Sequence, residues 1–221
     1  MTAERWTEVD HYIDDLFVLS DPILESALQA SVDAGLPPIQ VTPSQGKLLA
    51  ILSQSIQAKS ILEIGALGGY STIWLARSLT KGGRLITLEV DPKHANVARA
   101  NLKQAGLDGT AELILAPALE TLPKLVEEGV GPFDLVFIDA DKPNTAAYFE
   151  WALKLTHPGS LIITDNMIRN GEVVNPESTD ASVLGARQFN AVLAGEPKVT
   201  ATMVQTVGSK GYDGFAIALV K

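Results

Sequence analysis

Two hydrophobic rhythms divide the chain. Over residues 1–57 apolar positions recur at helical spacing, and the punctuation between them predicts three helices. The first is an acidic, amphipathic segment ending near Phe17. Asp21-Pro22 opens the second with an N-cap and a proline at the first helical position, and Gly35-Leu36-Pro37-Pro38 stops it. The third follows Pro43 and runs through KLLAILSQSI. From residue 58 onward, short apolar runs alternate with helical stretches. Strands are predicted over 60–65 (SILEIG), 84–89 (RLITLE), 111–115, 133–139 (FDLVFID) and 160–165 (SLIITD), and helices over 69–80, 92–105, 119–128 and 145–155. Nearly all-apolar strands separated by helices imply right-handed crossovers and a parallel sheet covered on both faces.

The C-terminal part breaks this alternation. After a helix around 182–193, the segments 199–207 and 215–220 read as strands, with only 208–214 between them. That connection is too short for a crossover helix, so the pair must be antiparallel. The expectation is an α/β, Rossmann-like fold: a mostly parallel seven-stranded sheet with an antiparallel C-terminal hairpin strand. It is read as one domain over 1–221, with a helical cap over 1–57 and an α/β core over 58–221. A reversed last strand separates the methyltransferase type of this fold from a plain dinucleotide-binding one.

Composition narrows the function classes. Apolar residues are 46% of the 221, ample for a core, and charged residues are 19%, too few for a disordered chain. The formal net charge of -9 opposes a nucleic-acid partner, which favours a basic stripe. With no cysteine, disulfides and thiolate metal sites drop out. The first residues carry neither a basic nor an apolar leader pattern, and no apolar run reaches membrane-spanning length, so a cytoplasmic location is expected.

The first chemical signal is ILEIGALGGYST, a strand that ends in a glycine turn before a helix. Glycines there allow a sharp turn and a close approach to a ligand. The pattern is not GxGxxG. Glu63, two residues before Gly65, would face a pyrophosphate unfavourably and suits a cationic group better. Glu89 ends the next strand, about 20 residues on, where an acidic side chain reaches ribose hydroxyls. Together they suggest an adenosine-bearing ligand without a pyrophosphate. An NAD-dependent oxidoreductase and a non-catalytic nucleoside-binding module stay open as alternatives at this point.

The second signal lies at two strand ends. Asp139 and Asp141 follow the fourth strand in FIDADK, and Asp165 and Asn166 follow the fifth in IITDN. Ligands of open α/β sheets bind beyond these ends. Adjacent strands lie about 4.8 Å apart, so the tips can converge on one ion. Asp139, Asp165 and Asn166 offer only oxygens, which suits a hard divalent cation: Mg²⁺ first, Ca²⁺ or Mn²⁺ second. Asp141 reads equally well as a helix cap. Lys142, beside such an ion, suits a general base. His11, His94 and His157 show no ligand spacing.

These motifs resemble the cation-dependent O-methyltransferases, the group that includes caffeoyl-CoA and catechol O-methyltransferases. The likeness runs from TPSQGKLLAIL through LEIGALGGYST, LITLEVD, FIDADK and IITDN to GYDGFAIALVK. It implies a class I methyltransferase fold and an S-adenosylmethionine donor. Val41, Glu63, Gly65, Ala66, Tyr70, Ser71, Glu89, Ala118 and Asp139 would contact that donor. Asp139, Asp165 and Asn166 would hold the metal, and Lys142 would act as base. It also implies a small phenolic acceptor, a catechol or other vicinal diol, and a homodimer. Arg169, Asn170, Val173 and Tyr212 are expected to shape the acceptor pocket. Plant-type members usually carry a tryptophan near Arg169, and this chain does not. Its acceptor-side residues match neither a coenzyme-A-ester nor a catecholamine pattern.

Overall fold

Side-chain caps fix where the N-terminal helices begin. In the computed structural model, which describes residues 2–221, α1 (Ala3–Phe17) is followed by α2 (Pro22–Asp33) and α3 (Pro43–Ser55). The Asp21 carboxylate accepts the N–H groups of Ile23 at 3.0 Å and Leu24 at 3.2 Å, with Pro22 behind it. The Thr42 hydroxyl accepts the Gln45 N–H at 3.2 Å. The alternating part then runs β1 (Ser60–Ile64), α4 (Tyr70–Ser78), β2 (Arg84–Glu89), α5 (Pro92–Gln104), β3 (Ala111–Leu115), α6 (Ala118–Glu127), β4 (Phe133–Ile138), α7 (Thr145–Lys154), β5 (Thr156–Thr164), α8 (Ala181–Gly195), β6 (Val199–Gly208) and β7 (Gly211–Val220). Short 3-10 turns at Lys142–Asn144 and Arg169–Val174 follow β4 and β5.

Among the described residues, seven strands form one sheet in the order β3-β2-β1-β4-β5-β7-β6. β1, β2 and β3 pair in parallel, as do β4 and β5, whereas β7 runs antiparallel to both β5 and β6. This is the mixed sheet that the hydrophobic pattern predicts. The chain divides into two compact units, one of Val9–Ala118 and one of Leu119–Lys221 with the start of α1.

Each unit has its own buried core. In Val9–Ala118, Ile61, Leu62 and Ile64 of β1 and Leu85 and Leu88 of β2 are closed off from solvent, together with Ile73 and Leu75 of α4. In Leu119–Lys221, Phe133 and Phe137 of β4 lie fully buried, and Phe149 of α7 meets Phe189 of α8 edge-on at 5.6 Å. Each such side chain contributes about 1.5–3 kcal/mol on burial. Among the described residues no helix is long and apolar enough to cross a membrane.

Two strands start earlier than their sequence suggests. β5 begins at Thr156, drawn in by pairing with Phe133 across a register shift. β7 begins at Gly211: Gly208 pairs with Gly211, so only Ser209 and Lys210 make the turn. Gly-Tyr-Asp-Gly reads as a connection because its residues are turn-formers, yet all four are strand.

Helix α8 closes onto the 3-10 turn that carries Lys142. A Cβ at Gly185 would lie 2.3 Å from the Lys142 carbonyl oxygen and 2.7 Å from Pro143 Cα, so only glycine permits this approach. Gly185→Ala must push helix and turn apart. The expected cost is about 1–3 kcal/mol of stability, measurable by urea unfolding. An unchanged midpoint would show that the contact is soft.

Candidate active site

In the unit Val9–Ala118 the glycine turn is pinned at both ends and in the middle. At one end stands Glu63, with no exposed surface. Its carboxylate accepts the hydroxyls of Ser71 at 2.6 Å, Thr72 at 2.5 Å and Thr87 at 2.6 Å. Thr87 sits opposite Glu63 in the β1–β2 register. In the middle Glu89, 8% exposed, gathers three backbone N–H groups: Val90 at 2.8 Å, Asp91 at 2.9 Å and, across the turn, Leu67 at 2.8 Å. Asn101 of α5 donates to the Gly68 carbonyl at 2.8 Å. Gly65 continues the β1–β2 pairing by donating to Leu88, and Gly69 takes φ 81° to turn the chain into α4. Val41, Ala66 and Tyr70 are buried, and Ala118 is half-buried at the start of α6. Burial holds the Tyr70 hydroxyl above its ordinary pKa.

In the unit Leu119–Lys221 the oxygen-bearing residues gather at the ends of β4 and β5. Ile138 pairs with Thr164, and the Asp165 N–H donates to the Ile138 carbonyl at 3.0 Å, so Asp139 and Asp165 leave adjacent parallel strands at the same level. Asp165 is buried, and its carboxylate accepts the Asn166 N–H at 2.8 Å. Asn166 takes the left-handed conformation, φ 58°. Lys142 is buried, with its Nζ 3.1 Å from Asp139 Oδ1. Asp141 caps no helix with its side chain; it accepts the Tyr148 hydroxyl at 2.5 Å and the Asn144 amide at 2.6 Å. Burial, reinforced by that carboxylate, pushes the Tyr148 hydroxyl well above the usual tyrosine range. Beyond Asn166, Arg169, Asn170 and Gly171 all have positive φ, and Tyr212 lies with its ring against Gly171. Among the described residues no three His, Cys, Asp or Glu side chains converge as a metal group. The strand-end set is two carboxylates and an amide: Asp139, Asp165 and Asn166.

The sequence pattern that defines the O-methyltransferase family matches residues 15–218. The chain belongs to this family. Similar proteins span its full length. The catechol O-methyltransferase of Niastella koreensis is 53% identical over 221 residues, 100% of each chain. The O-methyltransferase of Bacillus cereus, solved in complex with SAH, superposes with a TM-score of 0.98 at 52% identity and covers 100% of both chains. TomG of Streptomyces achromogenes, an O-methyltransferase involved in tomaymycin synthesis and solved with SAM, gives 0.96 at 48% identity, covering 100% of this chain and 99% of that one. Membership in an O-methyltransferase family sets aside the NAD-dependent reading.

Sequence reasoning missed Thr72, Thr87, Asn101 and Tyr148. Thr87 was within reach, since aligning LEI with ITL places it beside Glu63; the others depend on helix packing. The hydroxyl cage makes a sharp prediction. Thr87→Val keeps shape but removes a donor from a buried carboxylate, which costs about 1–3 kcal/mol. Thr87→Ser should recover most of it. Equal urea midpoints for the wild type and Thr87→Val would remove the cage from the account of this turn.

Proposed function

We propose that this O-methyltransferase transfers the methyl group of S-adenosylmethionine to one hydroxyl of a catechol-type phenol, with a divalent cation, preferably Mg²⁺ and alternatively Ca²⁺ or Mn²⁺. The carrying observation is the level pair Asp139 and Asp165, with Asn166 following and Lys142 at 3.1 Å. The name of the Niastella relative supports a catechol acceptor, and the SAH and SAM complexes of the other two support the donor.

On this reading the unit Val9–Ala118 serves the donor. Val41, Gly65, Ala66, Tyr70, Ser71 and Ala118 line it, with Glu63 toward the methionine part. Glu89 keeps acceptor capacity on Oε2, which takes one backbone N–H, and this suits a ribose hydroxyl. S-Adenosylmethionine supplies a sulfonium methyl group whose carbon–sulfur bond breaks as the new carbon–oxygen bond forms.

Asp139, Asp165 and Asn166 would hold the cation, and the fit is chemical: an all-oxygen set with the buried Asp165 fixed by its strand. A cation there supplies Lewis acidity that favours loss of the acceptor's proton. Lys142 takes that proton at Nζ, close to the oxygen that Asp139 helps to place. Asp139 also orients the lysine, and burial by α8 keeps bulk water from its Nζ. Arg169, Asn170 and Tyr212 border the acceptor ring. Alignment of acceptor oxygen and methyl carbon supplies much of the acceleration.

Catechol with S-adenosylmethionine is expected to turn over, to stop in EDTA and to resume with Mg²⁺. Asp165→Ala should lose activity while SAH binding, followed by calorimetry, persists. Full turnover in EDTA would sink the metal role.

The active form is read as a homodimer held through α1, which buries none of its residues and exposes Tyr12, Leu16 and Phe17. Sedimentation should give twice the 23.5 kDa chain mass. A monomer at micromolar concentration would refute the dimer, not the chemistry.

A further inference from the structure

We propose that Asp213 is the positioning residue of the acceptor side and selects which hydroxyl of the acceptor receives the methyl group. The inference rests on the reading of residues 166–171 as the acceptor loop. That loop leaves β5 through a run of left-handed residues, Asn166, Arg169, Asn170 and Gly171, three of which are not glycine. Such a backbone persists only where its surroundings dictate it. The surroundings are supplied by the start of β7. Oδ1 of Asp213 accepts three N–H groups, from Ile168 at 3.0 Å, Arg169 at 2.9 Å and its neighbour Gly214 at 2.9 Å. Met167 donates to the Gly214 carbonyl at 2.8 Å, and Gly171 closes the turn onto the Ile168 carbonyl at 3.0 Å.

The other oxygen, Oδ2, lies 3.8 Å from the Arg169 guanidinium, so one carboxylate sets both the backbone and the side-chain direction of that residue. Asp213 is itself held firmly. It pairs with Thr206 across the β6–β7 hairpin, and the preceding Tyr212 donates its hydroxyl to Gln205 and lays its ring on Gly171. The loop's shape is thus imposed from a rigid hairpin. The side-chain partners of Asp213 are Ile168, Arg169 and Gly214, all within its own unit. Disturbing it should shift the residues that border the acceptor ring while leaving donor capture intact.

The test compares the wild type with Asp213→Asn and Asp213→Ala, using S-adenosylmethionine, Mg²⁺ and protocatechuate, whose two adjacent hydroxyls are inequivalent. Asp213→Asn preserves the shape and one acceptor oxygen but removes the charge. Both variants should raise KM for protocatechuate about tenfold or more and change the ratio of the two monomethyl products, with SAH affinity within about twofold of the wild type. A purely structural role would lower active-enzyme concentration without moving the product ratio. Asp213→Asn that folds and keeps both KM and product ratio overturns the proposal. So does Asp213→Asn that loses SAH binding, because the residue then supports the whole fold. A wild type that methylates no catechol fails the functional reading instead, and the two failures are distinct.

Discussion

Glu63 presents the constraint around which the glycine turn is built. A carboxylate without solvent contact at the end of a parallel strand must find donors, because a buried polar group left unpaired costs several kcal/mol. Its three hydroxyl donors come from different places, two from the first turn of α4 and one from β2. Satisfying this one group therefore fixes the strand, its neighbour and the start of the following helix. The glycine turn between them then spans two ends already set. Glu89 reaches across to the Leu67 N–H and fixes the middle. The positive end of the α4 dipole adds a favourable field for negative charge at the same place.

The other unit uses the same device with different partners. Asp141 meets the Tyr148 hydroxyl and the Asn144 amide, which ties the end of β4 to α7. Asp213 meets two backbone N–H groups of the loop after β5 and one of its own strand, that of Gly214. A left-handed conformation at Arg169 costs about 1–2 kcal/mol relative to a right-handed one. Hydrogen bonds to a carboxylate are stronger than neutral ones, and three on one oxygen offset that strain. In both units a carboxylate at a strand end, rather than the loop's own residues, determines the course of the loop.

This explains what could be read from the sequence. The strands and most helix starts were legible because burial periodicity and caps such as Asp21 and Thr42 are local. The level placement of Asp139 and Asp165 was legible too, since two apolar strands ending in aspartate must present it at similar heights. Asp141 was ambiguous between cap and site because its partner, Tyr148, lies a helical stretch away and carries no local signal. Gly211 to Gly214 looked like a connection because glycine, tyrosine and aspartate there satisfy turn statistics, whereas pairing with β6 decided otherwise. Asp213 was consequently passed over: its partners are backbone groups more than forty positions earlier in the chain, and backbone groups leave no mark in a sequence.

The two sides also differ in redundancy. The glycine turn is held by several groups: three hydroxyls on Glu63, three N–H groups on Glu89 and the Asn101 amide on Gly68. Seven donors share the task. The loop proposed to face the acceptor takes two of its backbone bonds from one carboxylate, with Met167 held by Gly214 and Gly171 packed by Tyr212, so Asp213 is the partner whose loss disturbs it most. On the proposed function, such an arrangement would preserve methyl-donor chemistry while the acceptor changes. The relatives fit this division: a catechol O-methyltransferase and an enzyme of tomaymycin synthesis stand at 53% and 48% identity to the same chain. On that reading, a heavily bonded donor turn and a more lightly held acceptor loop allow divergence in substrate without a change in the fold.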